Sequence, residues 1–402
     1  MTSTLGSLLK NVAGSADRKS EFLASYGMRR NPFPPARTIY PEVIYNQEEA
    51  IQKFAGHVSA IVGDDLARRS LAILGGTGQG KSHFQRHCQY EVKANDLPIV
   101  TVEFLAGTGS AIVLVREMFR AADEYVKLVG EHDLLSAVVN RIEENSLGPV
   151  RQTDLRAALM TLFAASKEGY VPHDSFGRFD FQALLDVCRR WIVGDTLSQT
   201  ERRYLRVSGR LSSGSLMIRV MTELFSLARY QGLFKGVMVC LDEIEAIFSS
   251  GVSTSRIQSF LQDLRYLFDE AVGRDSGYSL LIVSGSTARG ADNLRNYNYP
   301  LFQRLGFEVE ARAMLHQVKD LEQARNFADV YLRHERDEFV KEVKTPITLD
   351  KARSLISDSD IRRAFLGDSL VPSSDERNQA RLLEELHRIV EEKRAAAKGV
   401  GG

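Results

Sequence analysis

The stretch LAILGGTGQGKSHF, residues 71–84, decides how the rest of the chain is read. Gly75, Gly80, Lys81 and Ser82 fit G-x-x-x-x-G-K-[ST]: the glycines let backbone N–H groups curl around phosphates, the lysine reaches the outer phosphates and the hydroxyl binds Mg²⁺. The expected cradle is Gly75, Gly76, Thr77, Gly78, Gln79, Gly80, Lys81 and Ser82, with His83 next on the helix. The context agrees, because SLAIL (70–74) reads as a buried strand and KSHFQRHCQYEV as a helix.

Further apolar runs lie outward from this motif. LPIVTVEFL (97–105), GVMVCLDEIEAIF (236–248) and SLLIVSGST (279–287) read as buried strands. Ile257, Phe260, Leu261, Leu264, Leu267 and Phe268 recur at helical spacing between the last two, and Ile51, Phe54, Ala55, Val58, Ile61 and Val62 do so before the first strand. Apolar strands alternating with amphipathic helices predict an α/β fold, a P-loop NTPase parallel sheet flanked by helices.

The organisation expected is a flexible tail over 1–24, a nucleotide-binding domain over 25–312 with a large helical insertion at about 106–230, a helical lid over 313–396 and a disordered end over 397–402. The prolines of RRNPFPP (29–35) forbid a helix and predict an extended connector across the surface of the following domain. Near the C-terminus, Ser373 and Glu376 form a candidate capping box.

Lys+Arg and Asp+Glu both total 52 in 402 residues, so any polyanion site must come from local clustering. Cys88, Cys188 and Cys240 lie far apart without a C-x-x-C pair, which argues against a disulfide framework or a zinc site. No run approaches the roughly 18 apolar residues of a membrane span, and a cytoplasmic protein without membrane contact is expected.

Strand 236–242 ends in Asp242 and Glu243. Beside a phosphate loop, the pair reads as a Mg²⁺ carboxylate followed by a general base that orients the attacking water; the alternative is a helix cap after a buried strand. With no N-K-x-D motif for guanine, ATP is the expected nucleotide, with Mg²⁺ held by Ser82 and Asp242. Ser286, or Ser284, places a hydroxyl for the γ-phosphate, although SGST also reads as a turn.

The order of GGTGQGKS, VMVCLDE, a strand ending in SGS, PLFQRLGFEVE and SDSDIRRAF resembles the AAA+ ATPases, particularly the branch of origin-recognition ATPases and transposition regulators. That resemblance implies that Arg304 is an arginine finger acting on a neighbouring subunit's ATP and that Arg362 contacts the γ-phosphate of its own subunit, with Arg363 and Arg289 as the respective runners-up. It also implies homo-oligomers assembled through ATP. Residues 190–248 resemble the ATP-binding subunit family of BREX-type phage-defence systems, which implies other defence-system subunits as partners.

That segment also carries an excess of arginine. Arg202, Arg203, Arg206 and Arg210 are the candidate contacts to double-stranded DNA, and a solvated helix face or a subunit interface would look similar. Two functions are consistent with these residues. One is an ATP-hydrolysing oligomer acting on DNA or DNA-bound partners; the other is an ATP-dependent switch or scaffold that recruits partner proteins with little motor activity.

Overall fold

The computed structural model describes residues 21–35, 38–142, 147–173, 177–249, 251–272, 277–367 and 379–399. They divide into two compact units. One comprises Glu48–Gly75 and Glu91–Met314; the other comprises residues up to Gln47, Gly76–Tyr90 and residues from Leu315 onward.

The strands are β1 (Arg68–Leu74), β2 (Ile99–Leu105), β3 (Tyr170–His173), β4 (Gly177–Asp180), β5 (Gly236–Asp242), β6 (Ser279–Ser286) and β7 (Ala313–Met314). Five of them form a parallel sheet in the order β2-β5-β6-β1-β7. Every residue of β5 and β6 is buried. A strand covered on both faces needs an unbroken apolar run, and for that reason these strands stand out in the sequence. The register pairs Leu74 of β1 with Ser286 of β6, and Ser284 of β6 with Leu241 of β5. The C-terminal ends of β1, β6 and β5 therefore finish side by side.

All six apolar positions expected on one face of the helix Thr254–Glu270 are buried. The helix Glu48–Val62 buries Ala50, Phe54, Val58 and Ile61 and leaves Ala55 exposed, so its inner face is rotated from the expected one. Between β2 and β5 the chain is mainly helical. Ser110, Asp133, Asp180, Ser198 and Ser213 each accept a hydrogen bond from the N–H three residues on and so start its helices. Trp191 is fully buried there and its indole N–H donates to the Gly209 carbonyl at 2.9 Å. The periodicity gives no sign of the antiparallel pair β3–β4 in this insertion.

The second unit has its own core, in which Leu23, Met28 and Phe33 join Phe327, Tyr331 and Leu386 from the helices Leu321–Val343 and Gln379–Gly399. Phe33 is fully buried, so the proline-rich segment is not a surface connector. The prolines do keep it out of a helix, and its backbone groups find other partners: His387 Nδ1–H donates to the Phe33 carbonyl at 2.8 Å and Asn31 Nδ2–H to the His387 carbonyl at 3.1 Å. The last helix continues to Gly399, through alanines expected to fray. The Ser373/Glu376 capping box falls outside the described residues, as do residues 1–20 of the expected tail. No helix among the described residues is long and apolar enough to cross a membrane.

Candidate nucleotide site

The glycine loop leaves β1 at Leu74. In the sheet unit, Gly75 N–H donates to the Ser286 carbonyl at 3.2 Å, which ties the start of the loop to the end of β6. In the other unit, Gly78 and Gly80 have φ of +72° and +88°, left-handed values at which a side chain would be strained. Lys81 Nζ donates to the Gly76 carbonyl at 3.0 Å, folded back over its own loop, and Gly76 N–H bonds to the Gln79 side chain. The helix Lys81–Ala94 begins directly after the loop, and a helix N-terminus presents unpaired N–H groups that favour an anion.

Beside the loop is a cavity of about 250 Å³ lined by Gly78, Gly80, Lys81, Ser82 and His83 together with Tyr40 and Leu383. Two histidines fasten the segment around Tyr40 to this helix. His83 Nε2–H donates to the Tyr40 carbonyl at 3.0 Å, and His87 Nδ1–H to the Pro41 carbonyl at 2.7 Å. Burial pushes the His83 pKa below the usual imidazole value, against the Tyr40 carbonyl, which raises it. Behind Tyr40, the Arg30 guanidinium sits 3.7 Å from the ring centroid and pairs with Glu335 (2.7 Å) and Glu42 (2.5 Å). Glu335 is completely buried. Glu42, His334 and Glu335 are the one group of metal-ligating type among the described residues, but Arg30 bridges the two carboxylates and Arg29 Nε lies 4.0 Å from Glu335, so the group forms an ion-pair network.

In the sheet unit, Asp242 ends β5, is 8% exposed and accepts the N–H of Glu243 at 2.9 Å. Glu243 is exposed and adopts φ +53°, ψ +47°, a left-handed conformation unusual for a side-chain-bearing residue. Ser286 and Ser284 are both fully buried. The Ser286 hydroxyl donates to Glu245 Oε2 at 3.1 Å, whereas the Ser284 hydroxyl has no partner among the described residues.

Among the arginines, Arg304 bonds within its own unit to Asp269. Arg362 is exposed on the helix Asp358–Leu366, and Arg363 pairs with Glu392 at 3.2 Å; Arg289 is exposed. In the insertion, Arg190 pairs with Glu201, Arg116 with Asp195 (2.8 Å) and Arg219 with Glu223 (3.4 Å). Arg202, Arg203, Arg206 and Arg210 pair with no carboxylate among the described residues. Arg206 has φ +59° at the end of the helix Gln199–Leu205, and Arg210 Nε–H donates to the Gly194 carbonyl at 2.9 Å.

Residues 113–330 match the family model of the BREX system ATP-binding protein BrxC/D. This chain belongs to that family. The matched span includes β5, the Asp242–Glu243 pair, β6 and Arg304, and the glycine loop lies upstream of it. The BrxC/D chain is thus an ATP-binding protein of a phage-defence system. A comparison with curated proteins gives no match. Among solved structures, similarity is found to the Aeropyrum pernix ORC2 protein in its ADPNP-ADP complexes, at 11% identity over 92% of this chain and 68% of that chain, with a TM-score of 0.42. The ADP form of the same protein gives 11% identity, 89% and 70% coverage, and a TM-score of 0.39.

Proposed function

We propose that this BrxC/D-family protein hydrolyses ATP, assembles with other copies through the bound nucleotide, and acts on duplex DNA or on DNA-bound partners within the defence system. The observation that carries the hydrolytic reading is Glu243. It sits immediately after the buried Asp242, at the C-terminal edge of the sheet, in a left-handed conformation. Strained residues of this kind cluster at active sites, where surrounding structure holds them.

In this reading Gly75 to Ser82 cradle the triphosphate, Lys81 leaves the Gly76 carbonyl for the outer phosphates, and Glu243 takes a proton from the attacking water. The hydroxyl of Ser82 and the carboxylate of Asp242 are hard oxygen donors, which suits Mg²⁺; when bound, the ion neutralises charge on the phosphate oxygens. The cavity beside Tyr40 receives the rest of the nucleotide. Arg304 is the finger for a second copy. It gathers with Arg68 on Asp269, and Arg68 opens β1, about 20 Å along that strand from Leu74, where the glycine loop begins. Arg362, exposed on its helix, is the proposed lid contact to the γ-phosphate.

The DNA reading rests on the four arginines of the insertion left without carboxylates, since unneutralised guanidiniums displace counterions from a phosphate backbone. The test is Glu243→Gln in the full chain, followed by ATP retention, ATP turnover and duplex binding. Retained ATP, lost turnover and ATP-promoted DNA binding are expected. Undiminished defence function with turnover abolished would favour a recruiting switch over a hydrolysing machine.

A further inference from the structure

Glu245 is two residues past Glu243, in the 3₁₀ turn Ile244–Phe248 that follows β5. Of Asp242, Glu243 and Glu245, it alone ties β5 to the next strand among the described residues. Its Oε2 accepts the Ser286 hydroxyl at 3.1 Å and the Thr287 N–H at 3.3 Å. Ser286 is the last residue of β6, and Thr287 caps the helix Ala288–Tyr297. Gly290 closes over the pair from that helix: a Cβ at this position would lie 2.8 Å from the Glu245 Cβ and would press on the Ser286 hydroxyl as well. Glycine is required here by close approach and not by backbone conformation.

We propose that Glu245 is a positioning residue for hydrolysis. By gripping the end of β6 it anchors the turn that begins at Glu243, whose carbonyl accepts the Ala246 N–H at 2.9 Å, and so holds Glu243 in its left-handed conformation. In the same contact, Ser286 directs its hydroxyl proton to Glu245. Ser286 therefore serves the reaction by seating Glu245, and not by donating to a phosphate. A left-handed residue relaxes to ordinary helical angles when nothing opposes it, which would swing the Glu243 carboxylate away from its water. The inference rests on the reading of Glu243 as the water-activating group.

The experiment measures steady-state ATP turnover and ATP affinity for the 402-residue chain and its variants Glu245→Ala, Glu245→Gln, Ser286→Ala and Glu243→Gln. Glu245→Ala is expected to lower kcat by about 10- to 100-fold, the scale of a small misplacement of a reacting group, with ATP affinity little changed. Glu245→Gln keeps an oxygen that accepts both hydrogen bonds and is expected to stay within about threefold of the unaltered chain. Ser286→Ala is expected to lower kcat in the same direction, and the double variant Glu245→Ala/Ser286→Ala to be no slower than Glu245→Ala alone, because the two changes break one contact. Undiminished kcat in Glu245→Ala, or effects that multiply in the double variant, overturn the proposal. If Glu245→Ala fails to fold, Ser286→Ala still decides, since unchanged kcat there is also fatal. Normal hydrolysis by Glu243→Gln, or none by the unaltered chain, removes the underlying reading instead. Loss in Glu243→Gln beside normal turnover in Glu245→Ala removes the positioning role alone.

Discussion

Arg304 is held by Asp269: its Nε lies 2.7 Å from Asp269 Oδ1, while its Nη1 donates to the Pro300 carbonyl at 3.1 Å. Arg265 and Arg68 converge on the same carboxylate at 3.5 and 3.9 Å. One negative charge is thus shared by three positive ones, and the local excess favours an incoming anion such as a nucleotide phosphate. If Arg304 is the proposed finger, Arg304→Ala binds ATP normally and loses about 10³-fold or more in turnover, the scale of an arginine finger. Mixing Arg304→Ala with Glu243→Gln tests action in trans, because each supplies what the other lacks. Recovery of turnover on mixing is the expected outcome; none on mixing would put the guanidinium elsewhere in the reaction.

The four arginines of the insertion make a quantitative claim about salt. Each phosphate neutralised adds roughly 0.9 to the slope of log affinity against log salt. A chain with Arg202, Arg203, Arg206 and Arg210 replaced by alanine is expected to lose up to about 3 to 4 of that slope on duplex DNA and to keep its ATP affinity. A slope equal to that of the unaltered chain would move the contact off this surface.

Arg30 is the nearer of two guanidiniums on the buried Glu335, at 2.7 Å against 4.0 Å for Arg29. Removing Arg30 leaves the buried carboxylate with Arg29 alone, 4.0 Å away, so the cost is expected to fall below the roughly 3–5 kcal/mol of a fully stranded buried charge. Arg30→Met is expected to lower the midpoint of thermal unfolding and to weaken ATP binding, because Arg30 also packs on Tyr40 at the cavity. Adding Glu335→Gln removes the under-compensated charge and is expected to restore part of the stability. Calorimetry of the two variants makes the comparison.

His83 gives the stability a pH dependence of known sign. Burial keeps its folded-state pKa below 6.5, so on acidification the unfolded chain takes up a proton before the folded one does. Stability from this group is complete above the unfolded value and falls as pH drops through it towards the folded value. His57 is lowered by burial and by Arg69, and contributes with the same sign. The unfolding midpoint is expected to fall between about pH 7.5 and 5.5, and to fall less in His83→Gln, whose amide can still donate to the Tyr40 carbonyl.

Four strands of the sheet were legible because β1, β2, β5 and β6 are inner or nearly continuous apolar runs bounded by turn residues. β7 has two residues, too few to show a period, and it exists because Ala313 and Met314 pair with Ile73 and Leu74. The burial of Phe33 is hidden from the sequence for a different reason. Its prolines report backbone angles truthfully, but they carry no information about whether an extended segment lies outside or inside. The glycine loop and the Asp242–Glu243 pair are local patterns and were readable as such. Glu245 does not stand out in one dimension, where it is only another acid in LDEIE; its meaning depends on β6, some forty positions later, lying alongside. The parking of Arg304 on Asp269 was hidden likewise by 35 residues of separation.

The tie between Asn31 and the His387 carbonyl spans 356 residues. A chain emerging from the ribosome therefore exposes the apolar face around Phe33 long before the helix that covers it has been made. The sheet unit, whose last strand ends at Met314, can condense first, while the segment flanking the phosphate loop waits for the final ninety residues. Long-range closures of this kind fold slowly and leave sticky intermediates. Synthesis halted before Gln379 would yield a product with the Asp242–Glu243 turn formed and the cavity beside Tyr40 unfinished.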